Sequence, residues 1–340
     1  MITLGIETSC DETSVAVLRD GTELLSNLIS SSLFRHQPFG GVVPEIASRH
    51  ALEQIDTVFK EALKQAKIKI SSIDLIAVTE GPGLIGSLLV GISFAKALSY
   101  QLRKPLIGVN HLDAHLAANF VASSQDNVLV QEPPQYMGLL VSGGHTSISF
   151  HQKGKVKLLG STVDDAVGEA YDKVAKLLNL GYPGGPVIDR LGQQGNSEAF
   201  VFTKPKQKGR FDFSYSGIKT AVLYEVQKQK NENFSSEFIK DMAASFQKAA
   251  VSWLVEKTLD AAEIKKVPSI VVGGGVSANS ELRKRLGTEG KERGFNVYFP
   301  SFLLTMDNAG MIARRGFELY RKGKRDSLKL AGNANLKMGV

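Results

Sequence analysis

Short apolar blocks with a β-branched bias occupy residues 2–7, 13–18 and 24–29, with only a few polar residues between them. Blocks of that length joined that tightly predict three strands in an antiparallel meander. From Pro44 onward the period changes: Ala47, Ala51, Ile55, Val58, Ala62 and Ala66 recur at steps of three or four, which places them on one face of an amphipathic helix. A strand at 74–79, a helix at 83–100 and a strand at 105–109 follow, so the order reads β-β-β-α-β-α-β.

That order returns later in the chain. Residues 136–142, 145–150 and 156–160 read as three more strands, and after a helical stretch come a helix at 236–262, a strand at 269–272, a helix at 279–293, a strand at 296–299 and a helix at 305–320. The expected domains are 1–130, then 131–325 with a helical insertion at about 164–232, then a basic tail at 326–340. A duplicated β-β-β-α-β-α lobe is the organisation of the actin-like ATPase fold, which is ribonuclease-H-like in each half. The expected class is therefore α/β, with two such lobes and a ligand cleft between them.

The 340 residues suffice for two domains that each bury a core, and 43% hydrophobic with 22% charged residues is the balance of a globular chain. One cysteine, Cys10, excludes an internal disulfide and a cysteine-based zinc or iron–sulfur site. The first residues carry neither a basic region nor a small-residue cleavage site, and no stretch of about 18 uncharged apolar residues is present, so the expectation is no secretory leader, no membrane span and a cytoplasmic location. A net charge of +7 is unevenly spread: Arg314, Arg315, Arg321, Lys322, Lys324, Arg325 and Lys329 crowd the C-terminal region, and Lys204, Lys206, Lys208 and Arg210 form a second cluster. Such patches suit a polyanion such as RNA, or else are solvated surface. Phe211, Phe213 and Tyr215 beside the second cluster suit stacking on unpaired bases, or core packing.

The candidate chemistry centres on His111 and His115, which follow a predicted strand directly. On a helix they lie on one face about 6 Å apart at Cβ, a spacing at which two imidazoles can share a metal, and Asp307 offers a third ligand. Glycine turns at Ser142-Gly143-Gly144 and at Gly273-Gly274-Gly275, the latter leading to Asn279, free backbone N–H groups to approach an anion or nucleotide. The turn at residues 8–13 is their counterpart in the first half. Asp165, Glu169 and Asp172 form an acidic stripe at helical spacing, which at minimum offsets a helix dipole. Asp172 and Asp189 flank a Gly184-Gly185 turn, where their carboxylates suit ribose or amino-acid hydroxyls.

Several segments together resemble the universal tRNA N6-adenosine threonylcarbamoyltransferase family: residues 5–13, 40–50, 80–84, the His111/His115 pair, residues 141–145, 182–186, 274–279 and 307–309. The resemblance runs in unbroken order from residue 2 to about residue 315. It implies a metal-dependent acyltransferase that moves threonylcarbamoyl from threonylcarbamoyl-AMP to the N6 amine of the adenosine 3′ to the anticodon, in tRNAs reading codons that begin with A. It implies that His111, His115 and Asp307 bind one divalent metal, iron, with zinc as the alternative. It implies that Leu140, Val141, Ser142, Gly143, Gly144, Asp172, Gly185, Asp189 and Asn279 hold the adenylate. The partners it implies are tRNA, a degenerate actin-fold paralogue and a small ATPase. Asp11 and Glu12 are the candidates for proton removal or donor positioning. A metalloprotease is disfavoured because Leu112 stands where a His-Glu-x-x-His motif needs its general base, and an actin-fold small-molecule kinase would leave the histidine pair idle.

Overall fold

The structure, a computed structural model, describes residues 1–122, 131–204, 207, 209–229 and 234–339. In the first half, β1 (Ile2–Glu7), β2 (Glu12–Arg19) and β3 (Glu23–Ser31) form the antiparallel meander. A single-turn helix α1 (Leu33–His36) leads to α2 (Pro44–Gln65), β4 (Leu75–Gly81), α3 (Ile85–Leu102), β5 (Leu106–Asn110) and α4 (His111–Ala117). The second half runs β6 (Gln135–Val141), β7 (Thr146–Gln152), β8 (Lys155–Ser161), α5 (Val167–Leu177), α6 (Gly184–Gly192), α7 (Ser216–Gln227), α8 (Ser236–Lys265), β9 (Ser269–Gly273), α9 (Ser280–Glu292), β10 (Asn296–Tyr298) and α10 (Ala309–Arg321).

Both sheets share one topology. The first has the order β3-β2-β1-β4-β5 and the second, read the same way, β8-β7-β6-β9-β10. In each, two antiparallel pairings flank the opening strand on one side and two parallel ones extend from the other. The duplication read from the hydrophobic pattern is therefore present at the level of strand order.

The chain divides into two compact units, Met1–Glu132 with Pro300–Val340, and Pro133–Phe299. This corrects the expected boundary in one respect: residues 300–325 belong with the first unit although they follow the second. Side-chain alternation explains why. Leu4, Ile6, Val15, Val17, Ile76 and Val78 pack against α2 and α3, while Leu18, Leu75, Ala77, Ile107 and Val109 turn to the other face. That second face needs a cover, and Met311, Ile312 and Ala313 of α10 supply it. Two glycines let the helix seat closely: a Cβ on Gly5 would overlap the Ala309 carbonyl, and one on Gly316 would overlap Ala77.

The tail is also part of this unit. Asp326 bridges to Leu106, Asn333 donates its N–H to the Glu80 carbonyl at 2.8 Å, and Leu330 enters the core. The last helix starts later than expected, at Ala309, because Asn308 caps it by accepting from Met311 N at 3.0 Å. Among the described residues α3 is long and apolar enough to cross a bilayer by length and composition. Its Leu88, Ile92 and Ala95 are buried in the first unit's core.

In the second unit Met137, Leu139, Val141, Ile270 and Val272 of the sheet pack against buried faces of α5, α8 and α9. The longest helix, α8, begins at Ser235, whose hydroxyl accepts from Phe238 N at 3.1 Å.

Candidate metal centre

Helix α4 carries the histidine pair, and it starts where it does because Asn110 accepts from Leu112 N at 2.9 Å and Asp113 N at 3.3 Å. All seven of its residues are buried. Asp307 arrives from 192 positions further along, placed by the Asn308 cap and the seating of α10 on the first sheet. His111 Nε2 and His115 Nε2 are 3.1 Å apart, and Asp307 Oδ1 lies 3.5 Å from the first and 3.2 Å from the second.

Two ring nitrogens facing each other at that distance would repel through their lone pairs, so a cation, either proton or metal, belongs between them. Donors at about 2.1 Å from one ion, at right to tetrahedral angles, lie ~3.0–3.4 Å apart. All three ligand atoms lie within 4.8 Å of one another. Two imidazoles and a carboxylate suit a borderline divalent ion, and the residues present fit one.

The electrostatics match the geometry. Burial by itself would lower the His111 pKa, but the charges of Asp307 and Glu7 outweigh it and hold the ring well above the ordinary imidazole range. His115 goes the other way: burial lowers it, and the adjacent His111 charge adds to that. Burial would raise Asp307, yet His111, with the hydrogen bonds from both rings, holds its carboxyl far below the usual range.

The candidates Asp11 and Glu12 stand at the start of β2. Burial, then the charges of Asp307 and Asp11, hold the Glu12 carboxyl well above its ordinary range. Burial and the same acids push the Cys10 thiol up, so it is a neutral thiol. Sequence reasoning missed Glu7, which is fully buried and lies 2.9 Å from His111 Nδ1. Its signal was an acid closing an otherwise apolar strand. It also missed Asp113, held by Arg315 at 3.8 Å, which links α4 to α10.

The adenylate candidates collect in the second unit. Leu140 and Val141 end β6, beside Gly273 on the parallel strand β9. Ligands of open α/β sheets gather at such carboxyl ends. Gly143 and Gly144 have open space where a Cβ would stand, and the turn is pinned by Ser142 Oγ accepting from His145 N at 3.1 Å. Gly274 has φ +93 and packs against Val141, a position closed to a side chain.

Asp172 accepts from Gly184 N at 2.7 Å, and Asp189 accepts from Ser280 N at 3.1 Å and from Ser280 Oγ at 2.7 Å. Asn279 donates to Gln247 at 2.8 Å. Both aspartates therefore already brace α6 and α9 as well as standing beside Gly185, which has open space around it. Burial pushes Asp172 above the carboxylate range, against the pull of the Gly184 and Gly185 amides. The remainder of the acidic stripe is paired, Asp165 with Lys173 and Lys219, Glu169 with Lys173.

The basic patches shrink on inspection. Arg314 is buried against Glu318 and the Gly21 carbonyl, and Arg315 pairs with Glu318, so both are framework. Arg321, Lys322, Arg325 and Lys329 are exposed. In the second cluster Lys204 pairs with Glu256 at 2.7 Å, while Lys206 and Lys208 lie outside the described residues. Phe213 and Tyr215, read as stacking candidates, are buried in the core.

Comparison with known proteins bears on all of this. The family model described as tRNA N6-adenosine threonylcarbamoyltransferase matches residues 23–314. A protein of that name from Thermosipho africanus is 52% identical over 340 residues, covering 99% of this chain and 100% of its own. One from Dictyoglomus turgidum is 48% identical, covering 100% and 99%. Among solved structures, HypF from T. kodakarensis aligns over 95% of this chain and 48% of its own with a TM-score of 0.60 at 14% identity. Component A of Acidaminococcus fermentans (R)-2-hydroxyglutaryl-CoA dehydratase aligns over 95% and 98% with a TM-score of 0.54 at 14% identity. These last two show the actin-like fold.

Proposed function

Because this chain belongs to the tRNA N6-adenosine threonylcarbamoyltransferase family, and so transfers threonylcarbamoyl to N6 of a tRNA adenosine, we propose the following assignment of that reaction to its residues. The donor is threonylcarbamoyl-AMP and the acceptor is the adenosine 3′ to the anticodon in tRNAs reading codons that begin with A. His111, His115 and Asp307 hold one divalent metal, iron by preference over zinc. The observation that supports this is the convergence of their three ligand atoms in one buried group.

Adenine's exocyclic amine is a weak nucleophile because its lone pair is delocalised into the ring. The acyl donor must therefore carry a good leaving group, which a carbamoyl–phosphate anhydride does. The amine nitrogen forms a bond to the carbamoyl carbon, the carbon–oxygen bond to phosphate breaks, AMP departs, and the amine gives up one proton. A bound divalent ion supplies Lewis-acid chemistry for such a step.

The chain's own residues supply the rest. The amides of Gly143 and Gly144, in the turn that Ser142 closes, and the side chains of Asp172, Asp189 and Asn279 orient the adenylate, with Leu140, Val141 and Gly185 lining its place. Asp11 and Glu12, at the start of β2, take the amine proton or position the donor. The exposed C-terminal cations neutralise tRNA phosphates. A degenerate actin-fold paralogue and a small ATPase are the partners, and the cytoplasm, where tRNA is modified, is the place of work.

The test is reconstitution with threonine, bicarbonate, ATP, the adenylate-forming enzyme, both partners and unmodified tRNA, read by mass spectrometry of the nucleosides. The modified adenosine is expected with the parent chain and lost with His111→Ala. Phosphorylation of a small molecule without tRNA, or glycoprotein cleavage abolished by the same substitution, would overturn the assignment.

A further inference from the structure

Glu7 closes β1 with its side chain fully buried. A buried carboxylate needs donors, and it has three. Oε1 accepts from Ser9 N at 2.5 Å, while Oε2 accepts from Thr79 Oγ1 at 2.7 Å and faces His111 Nδ1 at 2.9 Å. Two of those donors come from β4 and the β1–β2 turn, so the carboxylate is held independently of His111.

An ionised carboxylate can only accept. The ring nitrogen facing it therefore carries the hydrogen, and Nδ1–H commits His111 to presenting Nε2 on its far side, where His115 and Asp307 lie. Ser9 Oγ lies 3.2 Å from the same Nδ1 and can share its hydrogen. His115 is held differently: its Nδ1 is buried without a hydrogen-bond partner among the described residues. Of the two rings, His111 has a carboxylate on its Nδ1 and His115 has none among the described residues.

We propose that Glu7 is a positioning residue for the metal centre, one that fixes the His111 tautomer with Nε2 as the ligand nitrogen and raises the basicity of that nitrogen through the Nδ1–H contact. Carboxylate–histidine–metal relays of this kind tune metal affinity as well as geometry. The inference rests on the assignment of His111, His115 and Asp307 as metal ligands. An amide in place of the carboxylate would set its NH2 either against the Ser9 N–H, which can only donate, or against His111 Nδ1, where it would favour the opposite tautomer.

The experiment uses the full chain and zinc. Chelator competition measures zinc affinity for the parent, His111→Ala and Glu7→Gln, and long-range proton–nitrogen correlation of the histidine rings in the zinc-loaded parent reports the tautomer, with His111→Ala assigning the ring. Glu7→Gln is expected to weaken zinc binding by about 10–100-fold, with a larger loss for His111→Ala, and the parent spectrum to show His111 protonated at Nδ1 and metal-bound at Nε2. If His111→Ala binds zinc as the parent does, the ligand assignment itself fails. If His111→Ala loses zinc while Glu7→Gln keeps parental affinity, or the parent ring is bound through Nδ1, the ligands stand and the role of Glu7 falls. Should Glu7→Gln not fold, the parent's ring spectrum decides alone.

Discussion

Asn110 Nδ2 donates to the carbonyl oxygen of Lys337 at 2.7 Å, across 227 positions of sequence. The same side chain caps the helix that bears both histidines, so one residue joins the metal centre to the C-terminal segment. Asn110→Ala removes a cap worth about 1 kcal/mol and a partly buried hydrogen bond worth about as much again. The expected loss of about 1–3 kcal/mol is read by chemical denaturation. Asn110→Ser restores the cap but is too short for Lys337, and should recover about half. An alanine variant as stable as the parent would remove both roles.

His111→Ala and Asp307→Ala should each lower metal affinity by at least about 100-fold, more than loss of a supporting residue costs. Elemental analysis after gel filtration gives the metal content, and circular dichroism checks that the fold persists. Metal content equal to that of the parent in either variant contradicts its assignment as a ligand.

The seating of α10 makes a separate forecast. A Cβ at Gly5 would overlap the Ala309 carbonyl and come within 2.8 Å of Ala313 N. Gly5→Ala should therefore cost about 1–3 kcal/mol by overpacking and, by shifting the helix that follows Asp307, also weaken metal binding. Gly287, within α9, meets nothing within 4 Å, and Gly287→Ala should stabilise by about 0.5–1 kcal/mol. Equal effects at the two sites would mean that close packing is not what selects Gly5.

Asp164 organises the start of α7 by accepting from Ser214 Oγ at 2.5 Å, Tyr215 N at 2.8 Å and Ser216 Oγ at 2.7 Å. Its modest burial would raise the pKa, but those hydrogen bonds outweigh it and the net shift is downward. A carboxyl with a lowered folded-state pKa contributes stability above its unfolded value of about 3.9, and the contribution fades as pH falls through the folded value. The parent should thus melt above Asp164→Asn at pH 7, and the gap should shrink as pH falls below the unfolded value towards the lower folded one. A gap independent of pH would show that the charge is not involved.

Arg321 and Lys322 are exposed at the end of a helix whose Arg314 and Arg315 are internally paired. Reversing both to Glu should weaken tRNA binding and reduce the log–log salt slope, by up to about 2 if each contacts a phosphate. Filter binding over a salt series measures this. An unchanged slope assigns these cations to solvated surface.

Much of this molecule was legible in the chain. Short apolar blocks and the three-to-four spacing from Ala47 to Ala66 mark the strands and α2, because burial is a local demand that leaves a local pattern. The repeat of that order announced the duplicated sheet topology, and the His111/His115 spacing put two imidazoles on one helical turn. What stayed hidden were acids whose meaning depends on their neighbours. Glu7 looks like any charged strand end until Ser9, Thr79 and His111 surround it, and nothing near Asp189 in the chain announces that Ser280 donates to it.

Sequence by itself determined the elements, their repeated order and the types of side chain available for chemistry, since each follows from covalent neighbours and short-range periodicity. Only the tertiary structure decided that residues 300–340 return to the first unit and bring Asp307 to the histidines. That placement depends on an uncovered sheet face, on the absence of side chains at Gly5 and Gly316, and on an anchor at Asn110, none of which the residues near Asp307 encode. Contacts between positions hundreds of residues apart are settled by which surfaces remain unburied, and that is a property of the folded chain.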